Sequence, residues 1–192
     1  MSPSIISFPT IFLISSIILF SSPKATVAVP SLVQKACSNY TKNIDEKLCL
    51  SVLESMPSIT STIDRFTLTI AIIEAGISNS TKTHAHVVRM LGRGRPEERG
   101  AYKVCKVSYD QVVTRFKSSL RQVRSREFVS PTYELLTAST DCVDSCESAL
   151  ATYKVIDRVL MRDNKIVTVF GISAISVIDD MVQLGSPPPH RR

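Results

Sequence analysis

Apolar residues along this chain recur in steps of three and four. One seam runs Ile59, Ile63, Phe66, Ile70, Ile73 and Ile77. A second starts at Ala101 and continues through Cys105, Tyr109, Val112, Phe116, Ser119 and Val123. A third runs Leu135, Ser139, Cys142, Cys146, Ala149, Tyr153, Ile156 and Leu160, and a fourth Phe170, Ala174, Val177, Met181 and Leu184. A repeat averaging about 3.5 residues places each seam on one face of a helix. No comparable alternation of period two occurs, so the pattern is that of an all-α protein.

The helix breakers agree with the seams. Gly92-Arg93-Gly94-Arg95-Pro96 separates the first long helix from the second. Ser130 reads as an N-cap and Pro131 as the first residue of the third helix, where the missing N–H costs nothing. Asp163-Asn164 is expected to open the fourth, and Gly185 with Pro187, Pro188 and Pro189 to close it. Helices of roughly 22 to 30 residues on short connections pack as an up-down-up-down four-helix bundle. Ahead of them, Leu32 to Glu54 reads as two short helices around a turn near Lys42-Asn43. The chain thus divides into residues 1–28, a helical hairpin at 29–56, the bundle at 57–185 and a basic, Pro-rich tail at 186–192.

The opening segment reads as an address. Met1 to Phe20 carries no charged side chain, and Ile11 to Phe20 is almost wholly apolar. Broken by Pro9 and Thr10, it is short for a membrane span of about 20 residues and suits a signal-peptide core. Ser21 to Ala28 supplies the small residues of a cleavage site, with Thr26-Val27-Ala28 as the expected tripeptide; an uncleaved signal anchor is the competing reading. The expected mature chain is Val29 to Arg192, secreted and free of the membrane.

Secretion changes the meaning of the 5 cysteines, Cys37, Cys49, Cys105, Cys142 and Cys146, because disulfides persist on that route. A Cys37–Cys49 bridge would hold the front hairpin, which buries little alone. For the second bridge, rise per residue decides between two candidates on one helix face. With the second helix ending near Arg124 and the third starting near Pro131, Cys146 lies about 6 Å out of level with Cys105, and Cys142 about 12 Å. Disulfide Cα atoms sit near 6 Å apart, so Cys105–Cys146 is selected and Cys142 is left as a buried free thiol. Asn39-Tyr40-Thr41 and Asn79-Ser80-Thr81 are N-glycosylation patterns.

Composition narrows the function. With 44% hydrophobic residues in 192, disorder is excluded. The 3 histidines do not make a catalytic or metal site. His84 and His86 diverge on a helix and read as surface histidines, and His190 lies in the tail. Asp179-Asp180 diverge likewise, as solvated charges rather than an acid/base pair. The Gly92–Pro96 stretch lacks the Gly-Lys-Ser/Thr ending and the preceding strand of a phosphate loop. The residues call for no enzyme activity, cofactor or metal, and a secreted chain is no nucleic-acid binder. What remains is charge, 23 Lys+Arg against 17 Asp+Glu. Arg89, Arg93, Arg95 and Arg99 make one bundle end positive. A stripe of Arg115, Lys117, Arg121, Arg124 and Arg126 is either a solvated face or a contact for an acidic partner.

The chain also resembles a known family. The stretches ACSNYTKNIDEKLCLSVL, AYKVCKVSYDQVV, DSCESAL and NKIVTVFGISAISVIDD, in this order after a signal-like leader, are similar to the plant invertase and pectin methylesterase inhibitors, including pollen-allergen-like members. The most specific marks are Tyr109 four residues after Cys105, the Cys146-Glu147 pair, and the Asn164 to Ala174 stretch. The resemblance implies a four-helix bundle with an N-terminal hairpin and bridges joining first to second and third to fourth family cysteines. It implies a secreted, non-catalytic inhibitor that occludes one enzyme molecule in the cell wall, or in the vacuole. Cys142 is an extra cysteine. The invertase-directed branch often carries Pro-Lys-Phe, and the pectin methylesterase branch Lys-Asp-Tyr, where this chain has Arg126-Glu127-Phe128; the latter pattern is nearer. Pectin methylesterase is the expected partner, invertase the alternative, and a non-inhibitory bundle holding acidic wall polysaccharide a third reading. The candidate contact residues are the outward polar Arg121, Arg124, Thr132 and Glu134.

Overall fold

Two aspartates set helix starts at the front of the chain. Asp45 accepts the Leu48 N–H at 2.9 Å and opens α2, Glu46–Glu54. Asp64 accepts the Thr67 N–H at 2.9 Å and its hydroxyl at 2.8 Å, and opens α4, Arg65–Arg93. Each satisfies N–H groups that a first helical turn leaves without partners. The computed structural model describes residues 31–38 and 44–185. The leader, Asn39 and the tail with His190 lie outside these residues.

Around these two helices stand α1 (Leu32–Ser38), α3 (Pro57–Thr60), α5 (Arg99–Arg124), α6 (Val129–Ser139), α7 (Asp141–Thr152) and α8 (Arg158–Gly185). A 3-10 turn at Pro96–Glu98 joins α4 to α5. No strand occurs among the described residues. The packing closes a ring: α4 lies on α5 and α8, α5 on α6 and α7, and α6 on α8. This is a four-helix bundle whose third member is α6 followed by α7. Helices α1 and α2, bridged by Cys37–Cys49 with Cα atoms 5.7 Å apart, lean on α8. Val33, Ala36, Cys37, Cys49 and Leu53 belong to the same buried cluster as the bundle core.

The seams meet the structure unequally. All seven members of the α5 seam, Ala101 to Val123, are buried. The first seam is buried only at Ile59 and Ile73. Ile63 is 91% exposed, and the buried face of α4 is Leu68, Thr69, Ile72, Ile73, Gly76, Ser80, Thr83 and Val87. Small and hydroxyl residues carry much of that face because the neighbours come close. A Cβ on Gly76 would stand 2.3 Å from the Phe116 ring of α5. The hydroxyls stay satisfied inside the helix, as Ser80 Oγ donates to the Gly76 carbonyl at 2.6 Å.

The third expected helix is broken twice. At Ser139–Thr140 the chain bends, and the Ser139 carbonyl accepts the Thr168 hydroxyl of α8 at 2.9 Å. At the far end α7 stops at Thr152, because Lys154 adopts φ 54. Tyr153 and Ile156, expected inside, are 48% and 83% exposed. Leu160 is buried, but in α8. That helix begins at Arg158, not Asp163-Asn164: Asp157 accepts the Leu160 N–H at 3.0 Å and caps it. Every residue of α8 from 169 to 178 is buried. Its composition would suit a membrane span, and its place at the centre of the bundle accounts for that apolarity.

Candidate functional site

The seam of α5 turns a second row of residues outward, and α6 and α7 run alongside it. Between them lies a shallow groove in two adjoining depressions. One, of about 520 Å³, is lined by Lys103, Val104, Val107, Gln111, Thr137 and Cys142 among others. The other, of about 430 Å³, is lined by Val107, Asp110, Gln111, Arg115, Arg121 and Glu134 among others. Val107 and Gln111 are common to both. The Cys105–Cys146 bridge, with Cα atoms 4.4 Å apart, ties α5 to α7 beneath this face.

Charge and apolar surface alternate along the groove. Arg115 donates to Glu134 at 2.6 Å. Burial opposes the charge on Arg115, but the Glu134 hydrogen bond and field outweigh it and raise its pKa. Val107 stays well exposed there and Val104 partly so, whereas the exposed Tyr133 and Leu136 of α6 line neither depression. Cys142 is buried at the groove floor and donates to Gln111 Oε1 at 3.5 Å. Burial pushes its thiol pKa up, against the pull of Arg115. A raised pKa keeps the sulfur protonated and unreactive.

The four contact candidates do not form one cluster. Arg121 and Glu134 line the same depression. Arg124 is drawn to α4, where it donates to Glu74 at 2.6 Å. The Thr132 hydroxyl is engaged with the Val129 carbonyl at 2.7 Å. The exposed apolar residues of the groove were not among the candidates. The signal for them lay in the sequence, since Val104 and Val107 fall off the α5 seam and so face outward. Asn79 sits within α4, half-buried, with its Oδ1 out of water and without a hydrogen-bond partner among the described residues.

Neither helical histidine is a free surface group. His84 Nε2 lies 2.9 Å from Asp110, and His86 Nε2 lies 2.7 Å from Asp157. They belong to separate pairs, and no three His, Cys, Asp or Glu side chains are grouped to hold a metal among the described residues. Asp157, on the α7–α8 connection, also accepts the buried Tyr102 hydroxyl at 3.2 Å. Burial pushes the Asp157 pKa up, but the Leu160 N–H, His86 and Tyr102 together hold it below the ordinary value. Burial first, and then the Asp157 charge, push Tyr102 up to about 12.

A second lock joins three helices. Tyr109 of α5 donates to Asn164 Oδ1 of α8 at 2.6 Å, and Asn164 Nδ2 donates to Glu147 of α7 at 3.3 Å. Burial first, then the Asp163 and Glu147 charges, push the Tyr109 pKa far up. Tyr109, Glu147 and Asn164, three marks of the family resemblance, therefore meet in one network that runs from the bundle core to the exposed Glu147. Their arrangement fixes helix register and offers no nucleophile or acid/base pair to a substrate.

The family model described as plant invertase/pectin methylesterase inhibitor matches residues 31–176. A solved mutant form A of a pectin methylesterase inhibitor from Arabidopsis superposes with a TM-score of 0.68 at 15% identity, over 78% of this chain and 97% of that one. A pectin methylesterase inhibitor from Arabidopsis thaliana gives 0.58 at 15% identity, over 77% and 93%. At such identity the likeness is one of fold. No curated protein matches the chain.

Proposed function

The chain belongs to the plant invertase/pectin methylesterase inhibitor family, and from that premise we propose that it is a secreted inhibitor of pectin methylesterase, acting in the cell wall by one-to-one, non-covalent occlusion of the enzyme's cleft. The groove between α5 and α6–α7 carries this reading. It presents the exposed apolar residues Val104 and Val107 beside the polar Arg121 and the Arg115–Glu134 pair, on helices stapled together underneath. A surface already ordered by packing and a bridge loses little entropy on docking. A stable contact of this kind buries on the order of 1,600 Å² in total.

The sequence Arg126-Glu127-Phe128 of the α5–α6 turn, nearer in pattern to Lys-Asp-Tyr than to Pro-Lys-Phe, supports pectin methylesterase over invertase. At the place where the invertase-directed branch carries Pro-Lys-Phe, the Arg126 guanidinium stacks 3.6 Å from the centre of the Phe66 ring. Phe128 packs against the core. These side chains are engaged within the chain rather than offered to a partner. The basic stripe gives less support to a polysaccharide site, since Arg115 and Arg124 already hold carboxylates.

Titrating the purified, oxidised chain into each enzyme tests the reading. Pectin methylesterase activity should vanish at equimolar ratio, invertase activity should persist, and Arg121→Glu should weaken inhibition at least tenfold. Loss of invertase activity alone would transfer the assignment, and inactivity toward both would remove it.

A further inference from the structure

Charge is distributed unevenly between the two ends of the bundle. At the end where Arg121 lies, the segments 64–74, 117–127 and 179–184 hold five basic and five acidic residues. At the opposite end, residues 89–99 and 153–162 hold seven basic and three acidic. The acids there are committed. Glu97 and Glu98 both pair with Arg95, and Asp157 holds His86 and Tyr102. Arg162 pairs with Asp163. Arg89, Arg93, Arg99, Lys154 and Arg158 are exposed and make no ion pair among the described residues.

Named contacts bring these cations to one place. The Tyr153 ring lies over Gly100, so closely that a Cβ there would stand 2.2 Å from it; Arg99 and Lys154 are the chain neighbours of these two residues. Asp157 ties the α7–α8 connection to His86 of α4 and Tyr102 of α5, and Arg158 follows it. Gly94, next to Arg93, approaches the Tyr102 ring, with a 3.4 Å contact for an added Cβ. The same segment carries four exposed apolar side chains, the half-open ring of Tyr153, Ile156, Val159 and Met161.

We propose that this end of the bundle, with Arg93, Arg99, Lys154 and Arg158 around Tyr153, is a binding surface for a linear polyuronate, the de-esterified form of pectin. Guanidinium forks match carboxylates in geometry as well as charge. A half-exposed aromatic ring and an isoleucine suit the C–H faces of pyranose rings. Choosing the polyuronate among polyanions rests on the function proposed above, which sets the chain beside an enzyme that uncovers such carboxylates. The surface lies about 33 Å along α5 from Arg121, so a molecule retained here keeps the Arg121 end of the groove open.

Binding of the oxidised chain to polygalacturonate, to fully methyl-esterified pectin and to anionic phospholipid vesicles, at low and moderate salt, tests the inference. Polygalacturonate should bind at least tenfold more tightly than the other two, and the affinity should fall steeply with salt. The exposed quadruple variant Arg93→Gln, Arg99→Gln, Lys154→Gln, Arg158→Gln should lose at least tenfold in this affinity, with an unchanged melting curve and unchanged enzyme inhibition. Lys117→Gln with Arg121→Gln should leave it within twofold. Wild-type affinity in the quadruple variant, equal loss in the double variant, or no preference over ester or vesicle would overturn the site. A failure of enzyme inhibition would instead overturn the function proposed above, because inhibition is read separately.

Discussion

Replacing Asp157 by alanine should cost more stability than any other single change on the helix connections. The carboxylate accepts the Leu160 N–H at 3.0 Å, the His86 ring at 2.7 Å and the Tyr102 hydroxyl at 3.2 Å, and is itself only 8% exposed. Losing an N-cap costs about 1 kcal/mol. Stranding the buried tyrosine hydroxyl adds about 1 to 3 kcal/mol. The expected loss is about 3 kcal/mol, a large share of a typical domain's stability. With a urea slope of about 2 kcal/mol/M, the midpoint should fall by about 1.5 M. Asp157→Asn keeps an N-cap acceptor and should lose about 1 kcal/mol. The folded-state pKa of Asp157 lies below its unfolded value. Its contribution is therefore full above the usual carboxylate value of about 3.9 and is lost as pH falls through the lower folded value. Wild-type stability should drop more than that of Asp157→Asn in this acid range. A midpoint shift for Asp157→Ala under about 0.3 M, or identical acid limbs for wild type and Asp157→Asn, would refute the account.

Three further outcomes follow from other contacts. Tyr109→Phe should lose about 1 to 2 kcal/mol in urea unfolding, because it leaves the fully buried Asn164 carbonyl without its donor. Gly76→Ala should cost about 1 to 3 kcal/mol by the same measurement, since its Cβ meets the Phe116 ring at 2.3 Å in a filled core. Cys142 should resist alkylation at neutral pH until the chain unfolds, which a mass-shift time course with and without denaturant would read.

How far the fold could be read ahead depended on what filled each buried face. The α5 face is apolar and its back is charged, so periodicity located every buried member of the seam. On α4 the buried face holds Thr69, Gly76, Ser80 and Thr83, which hydropathy scores as polar. The half-buried isoleucines beside them took the seam one position off. Helix α8 is enclosed on most sides, so no stripe marks its start, and its buried Asp163 and Asn164 imitate a cap. Rise per residue selects Cys146 over Cys142 opposite Cys105, and the selection survives the break at Thr140 because only one residue leaves the helix there. The groove was less legible. A contact surface depends on which exposed side chains find partners at home, and the pairing of Arg124 with Glu74 joins residues 50 positions apart.

That pairing pattern also divides the work of the surface. Basic residues are spread over the outside of α4 and α5, but a cation with a carboxylate already in place offers little to a new partner, since exchanging one exposed pair for another gains almost nothing. Near the α5–α6 turn Arg65, Arg115 and Arg124 are so paired. The groove there must rely on shape and apolar contact, with charge setting orientation. At the opposite end the acids are held by His86 and Arg95 and the remaining cations face water unopposed. A long, flexible polyanion can use these, because it supplies many carboxylates at once and needs no exact fit. On the two proposals above, one bundle separates a surface that matches a single protein from one that holds a polymer, and the Asp157 contacts with His86 and Tyr102 fix the α7–α8 connection of the second to α4 and α5.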